Sequence, residues 1–160
     1  MTELAVQLLE PIPAHRMLGL RVLRAADGVG EVEVAVTDPL TNVIGSLHSS
    51  GLTALVDAAG LAAIIGAARD AVEFAHVTPL GTTAEIEFLA PARGVLTGHC
   101  ALDEAALGRL RALLDREVHK AQIITDCEVL DAEGALVCQG SFTWKLRRAT
   151  VPKAGRAERR

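Results

Sequence analysis

The chain has 160 residues, half of them hydrophobic and 22% charged, with a formal net charge of −4 at pH 7. That length allows one domain with a useful core but not two, and the composition excludes a disordered tail or a coiled coil. Three Phe, one Trp and no Tyr leave no stacking platform for single-stranded nucleic acid, and the acidic balance opposes a phosphate-backbone binder.

The first sixteen residues, MTELAVQLLEPIPAHR, carry Glu3 and Glu10 and no basic stretch ahead of an apolar run, so they do not read as a signal peptide. Residues 18–26 are expected as a short strand, turned by Asp27-Gly28. Val32, Val34 and Val36 then alternate with Glu31 and Glu33, the pattern of a half-buried strand. After the polar loop TDPLTN comes a long helix over roughly 48–69. Its stretch from Gly51 to Ala68 holds one charge, Asp57, and approaches the length of a membrane span. A carboxylate at membrane depth costs at least about 2.5 kcal/mol, and amphipathic strands flank the segment. It therefore reads as a helix apolar all round and enclosed by protein, with no membrane partner. Beyond it Ala84, Ile86 and Phe88 alternate with Glu85 and Glu87, Pro91–Gly94 turns the chain, and 95–101 is a further strand. A second helix is expected at 103–116, with Leu107, Leu110 and Leu114 on one stripe. Two strands close the domain around a turn at Asp131–Gly134: 120–130, and one with Leu136, Cys138, Phe142, Trp144 and Leu146 on one face.

The expected organisation is one α+β domain over residues 1–150, with six antiparallel strands, a central helix and an accessory helix. A basic tail, VPKAGRAERR, follows at 151–160. A helix apolar all round needs more cover than one small sheet supplies, and a second copy of the chain is the simplest source, so a homodimer or larger is expected. Cys100, Cys127 and Cys138 form no CxxC pair and read as buried apolar residues in a reducing, cytoplasmic setting. His15, His76, His99 and His119 show no HxxxH or HExxH spacing, so no metal is expected.

The densest polar group beside apolar structure runs from Asn42 through Gly45, Ser46, His48, Ser49, Ser50 and Gly51, followed by Asp57. A helix start presents unsatisfied N–H groups that favour an anion, or a carbonyl oxygen becoming one. Ser49 or Ser50 can equally be an ordinary N-cap. Asp57 lies nine residues beyond His48, about 13 Å along a helix. One small carbonyl group cannot touch both, so if both act on one substrate the second must come from a neighbouring subunit. Otherwise Asp57 is a buried acid satisfied by side-chain partners.

The string N-x-x-G-S-L-H-S-S-G-L-x-x-L-x-D over 42–57 resembles the active-site segment of hotdog-fold acyl-CoA thioesterases, in particular the phenylacetate-pathway (PaaI-like) type. Those proteins show Asn, then His-Gly-Gly six residues on, then Asp nine residues after the His. Asn42, His48 and Asp57 keep both spacings. The likeness extends over about residues 15–148, and the helix at 103–116 together with Trp144 resembles a less characterised subgroup. The resemblance implies a hotdog fold, a sheet of about six strands wrapped around a long helix, and hydrolysis of an acyl-CoA thioester without a metal or cofactor other than the substrate's own coenzyme A. It implies that the Ser49 N–H holds the thioester oxygen and that Asp57 of another subunit acts as general base or nucleophile. Asn42 would orient water or polarise the carbonyl, and His48 would position the reacting group.

Two departures qualify the resemblance. The family's Gly-Gly is Ser49-Ser50, which places side chains in the substrate-binding segment. The Ser or Thr that assists water from the strand facing the helix in many relatives has its nearest counterparts here in Gly81, Thr82 and Thr83. The serine pair favours the alternative of a non-catalytic acyl-CoA-binding hotdog protein. Arg93, Lys120, Lys145, Arg147 and Arg148 are the cations near strand ends that coenzyme A phosphates would need.

Overall fold

The period-two segments of the sequence fold into one antiparallel sheet. The computed structural model describes residues 1–149, and the expected basic tail at 151–160 lies outside the described residues. In chain order the elements are α1 (Thr2–Leu9), α2 (Pro13–Leu18), β1 (Arg21–Ala26), β2 (Val29–Ala35), α3 (Ser49–Gly66), α4 (Ala71–Phe74), β3 (Val77–Phe88), β4 (Val95–Ala101), α5 (Glu104–Leu114), β5 (Lys120–Leu130) and β6 (Leu136–Arg148), with a short 3-10 turn at Asp38–Leu40. The strand order is β1-β2-β4-β5-β6-β3, all neighbours antiparallel. Helix α3 lies along one face of this sheet, against β1, β2, β4 and β5. A six-stranded sheet curled around one long helix is the hotdog arrangement that the resemblance of the 42–57 segment implied.

The Ala/Gly richness of α3 follows from how closely it meets the sheet. Ala58, Ala59, Ala62 and Ala63 have no exposed surface. A Cβ at Gly30 of β2 would stand 2.2 Å from the Ala59 carbonyl oxygen and 2.4 Å from the Ala63 nitrogen, so backbone meets backbone there. Helix α3 is apolar and long enough to cross a membrane by composition alone, yet it is the core helix of the sheet. The β1–β2 hairpin needs two left-handed residues, which Asp27 (φ 54°) and Gly28 (φ 75°) supply. All three cysteines are buried and free.

Two expectations are corrected, the start of the first strand and the limits of the helices. The N-terminal segment folds as α1 and α2 rather than leading straight into a strand from residue 18. Gly19, at φ 63°, ends α2, and β1 begins only at Arg21. The alternation of Leu18, Leu20 and Val22 mimics a strand across that boundary. Helix α3 leaves one stripe uncovered by its own chain, where Ser50 is exposed and Thr53, Ala54, Asp57 and Leu61 are half-exposed, as a helix needing more cover than its own sheet would. Finally, α3 ends at Gly66 and α5 at Leu114, a few residues short of the expected limits.

The two sheet edges differ. At β1 the Val22 N–H donates to Glu10 Oε1 (2.9 Å) and the Ala25 N–H to Thr2 Oγ1 (3.0 Å), so the first helix and the residue after it cover the edge. At the other end, β3 pairs only with β6 among the described residues, over twelve residues. It leaves Leu80 63% and Phe88 53% exposed. A long unpaired edge of this kind is a template for another strand.

Candidate active site

The site is built around the start of α3. Asn42 folds the preceding loop by accepting the Ile44 and Ser46 N–H groups on Oδ1 (3.1 and 3.2 Å). Buried Ser46 accepts the Ala92 N–H on Oγ (2.8 Å), and the Leu47 N–H donates to the Ala92 carbonyl (2.7 Å). Arg93 clamps the tip, donating from Nη2 to the Ile44 carbonyl (2.7 Å) and from Nε to the Gly45 carbonyl (3.2 Å). The loop is therefore fixed from both sides before the helix begins.

His48, and neither serine, is the N-cap. Its Nδ1 accepts the Ser50 N–H (3.2 Å) and the Ser50 hydroxyl (2.9 Å). Two donors on Nδ1 place the ring proton on Nε2, which faces outward from an exposed side chain as a hydrogen-bond donor. The Ser49 N–H, at the first helical position, makes no hydrogen bond to another described residue. Ser49 and Asn42 line a cavity of about 360 Å³ with Leu52, Phe88, Leu89 and Pro91. Since the Asn42 carbonyl oxygen is committed to its own loop, the amide NH₂ is what it can offer a ligand, which suits polarising a carbonyl better than accepting from water.

Asp57 is not in this cavity. It lies eight residues along α3 from Ser49, about 12 Å. Its partner is His15 of α2, whose Nε2 stands 4.0 Å from Asp57 Oδ2. His15 is 3% exposed, and its Nδ1 donates to the Leu9 carbonyl (2.8 Å), so Nε2 is the ring atom turned toward the carboxylate. Burial pushes the Asp57 carboxyl above its ordinary range, and the nearby His15 ring offsets part of that. The carboxylate is still 28% exposed, so it is reachable from outside its own chain.

Gly81, Thr82 and Thr83 sit at a bulge in the middle of β3, where the Thr82 hydroxyl donates to the Thr143 carbonyl (3.1 Å). They are six or so residues, about 20 Å along the strand, from the Phe88 end that lines the cavity. Within one chain, then, Asn42, His48, Ser49 and Ser50 are brought together, while Asp57 and the β3 trio stand apart. Sequence spacing does not reveal His15, because the pairing joins residues 42 positions apart through the packing of α2 on α3. Nor does it reveal Ser46, which reads as one more loop serine until Ala92 is seen to lie against it. Of the expected cations, Arg93 and Arg148 are engaged with backbone carbonyls, while Lys120, Lys145 and Arg147 are exposed together at one end of β5 and β6.

The architecture is shared with solved structures. A Pseudomonas aeruginosa protein described as a probable thioesterase superposes with a TM-score of 0.75 at 23% identity, covering 93% of this chain and 97% of that one. A Haemophilus influenzae thioesterase gives 0.72 at 18% identity, with 95% and 94% covered. AziG of S. sahachiroi gives 0.64 at 23%, with 86% and 98% covered. At these identities the likeness establishes the fold, a hotdog, and nothing further. No curated protein sequence matches the chain. One family profile does, from residue 7 to residue 146, and the chain therefore belongs to the family described as Domain of unknown function (DUF4442).

Proposed function

We propose that the protein is an acyl-CoA thioesterase of the PaaI-like kind, acting in the cytoplasm as a dimer with two composite sites. The observation that carries this reading is an unpartnered N–H at the start of an eighteen-residue helix, opening into a largely apolar cavity, with a half-exposed carboxylate on the same helix. The 12 Å between them is too far for one reacting carbonyl, so the sites are built across two copies. The open β3 edge supplies the means: an antiparallel β3–β3 pairing would cover Leu80 and Phe88 and continue the sheet.

In this mechanism the acyl chain occupies the cavity beside Leu52 and Phe88. The thioester oxygen accepts from the Ser49 N–H and the Asn42 amide, and the His48 Nε2–H holds the substrate in place. Asp57 of the second copy takes a proton from water as the water oxygen bonds to the carbonyl carbon. The C–S bond then breaks, and the proton held at Asp57 goes to the departing thiolate. Raising the carboxyl above its usual range makes it a stronger base once ionised. Coenzyme A enters only as part of the substrate.

Ser49 and Ser50 in place of a glycine pair favour a second reading, a dimer that binds acyl-CoA without hydrolysis. Thiol release from short, medium, long and aryl acyl-CoAs separates the two. The composite site has its own test. Ser49→Pro and Asp57→Asn variants, each inactive alone, are refolded together in equal amounts. Half of randomly formed dimers then carry one intact site, so about a quarter of wild-type turnover should return. A mixture as inactive as its components refutes the cross-subunit site.

A further inference from the structure

The cavity at the start of α3 is a slot with a buried floor and two fixed walls. Its floor is Leu47 and Leu52, which are 1% and 3% exposed. One wall is Ile44, on the loop that Asn42 and Arg93 hold. The other is the end of β3 at Phe88 and the Leu89 that follows it. There the Leu89 and Ala90 N–H groups both donate to the Val137 carbonyl (2.9 and 3.2 Å). Ile44, Phe88 and Leu89 are 58%, 53% and 50% exposed, so both walls present apolar surface to water. The slot is therefore shaped before any ligand arrives.

Its polar groups are unevenly placed. Among the described residues no charged side chain lines the slot. The buried Ser46 hydroxyl is spent twice, donating to the Leu47 carbonyl (3.3 Å) and accepting the Ala92 N–H (2.8 Å). Arg93, two residues beyond Pro91 of the lining, is turned to the Ile44 and Gly45 carbonyls. The hydrogen-bonding capacity that remains belongs to Ser49 and to the Asn42 amide, at the thioester end. Beyond them the side chains are hydrocarbon. A carboxylate or hydroxyl carried there would lose its water and meet no partner.

We infer that the acyl group taken by this site is a plain aliphatic chain, with neither a distal carboxylate nor a hydroxyl, and that Leu89 enforces the choice. The inference rests on the placement of the thioester at the Ser49 N–H proposed above. From there Leu52 is three residues further along α3, about 4.5 Å. The first carbons of the chain pass over Leu52, and the later ones run between Ile44 and Leu89. Each methylene covers apolar wall that water otherwise meets, which is worth about fourfold in affinity. An acetyl group reaches neither wall, so the shortest substrates are held through their coenzyme A part alone. Leu89 stands at the rim, where a substituent at the far end of the chain would arrive, and it offers that substituent only carbon.

The test measures binding apart from turnover. 2-Oxoalkyl thioethers of coenzyme A keep the carbonyl but have no thioester bond to hydrolyse. They are titrated calorimetrically against the full chain in a series of increasing length, each paired with an analogue of equal length that ends in a carboxylate. In the wild type Kd should fall about fourfold per added methylene until the walls are covered. The carboxylate-ended partner should bind at least about tenfold more weakly than the plain chain. Leu89→Lys sets an ammonium at the rim of a half-exposed position. It should bind the carboxylate-ended analogue at least about tenfold more tightly than the wild type does, and the plain chain more weakly. A loosened fold cannot produce that reversal. Ile44→Ser should flatten the length series and leave the Kd of the shortest analogue unchanged. A wild-type Kd that does not vary with length, equal Kd values within a pair, a hydroxyaryl analogue bound as tightly as an alkyl chain of equal size, or no binding across the series overturns the proposal. Thiol release from the matching thioesters is read separately. A steep binding series without turnover supports the chain class and refutes the hydrolase reading, whereas turnover with a flat series refutes the chain class alone.

Discussion

Replacing Ser49 with proline isolates one N–H. Ser49 is the first residue of α3, the position where proline is favoured because that N–H has no helical acceptor. The preceding residue must be extended, and His48 already is, at φ −58° and ψ 146°. The variant therefore keeps the helix, and its thermal midpoint should stay within a few degrees of the wild type. What it loses is the donor aimed at the thioester oxygen. Removing one oxyanion-hole donor costs about 10²–10³ in kcat, or roughly 3–4 kcal/mol of transition-state stabilisation. Ser49→Gly is the control: it retains the N–H, removes the side chain that distinguishes this segment from a glycine pair, and should turn over at least as fast as wild type. Thiol release under saturating acyl-CoA measures all three. A Ser49→Pro protein that folds and hydrolyses at the wild-type rate would refute the placement of the oxyanion at this helix start.

Asp57→Asn should remove turnover and also raise stability at neutral pH. Burial, partly offset by His15, holds the carboxyl above its ordinary 3.8, so the folded state binds that proton more tightly than the unfolded chain. The stability this gives at low pH is lost as pH rises through the raised value, and the ionised group then weighs against folding. Thermal melts should show the Asn variant's gain at pH 7 shrinking as pH falls toward 3.8; a lower midpoint at neutral pH would contradict it. Wild-type turnover should fall on the acid side at a pH above that of an ordinary carboxylate, and His15→Asn should move that limb to higher pH because it removes the opposing ring. Gly30→Val forces a side chain into the Ala59 and Ala63 backbone and should cost about 3 kcal/mol or more in urea unfolding. Thr125→Val strands the buried Trp144 Nε1–H, which donates to Thr125 Oγ1 at 2.9 Å, and should cost about 1–3 kcal/mol. Adding Trp144→Phe to it should cost less than the two single losses combined.

The strands were legible because alternation is a local property. Glu31, Val32, Glu33 and Val34 state which side faces the core whatever the neighbouring strand is. The turn at Asp27-Gly28 and the Asp103 cap of α5, which accepts the Ala106 N–H, are likewise readable over three or four residues. The first two helices were missed because α1 and α2 are short, and Leu18, Leu20 and Val22 repeat with the period of a strand across their end. Their helical state is settled by what they cover: the β1 edge and the outer side of α3.

The sequence by itself determined the α+β class, the six strands, the long Ala/Gly helix, and the spacing of Asn42, His48 and Asp57, since each rests on periodicity or on residues close in the chain. Only the tertiary structure decided that His48 caps α3, that Asn42 spends its carbonyl on its own loop, that His15 faces Asp57, and that β3 is the open edge. Each of these depends on which distant segments meet, and that is fixed by the packing of whole faces, which the order of residues along the chain does not display.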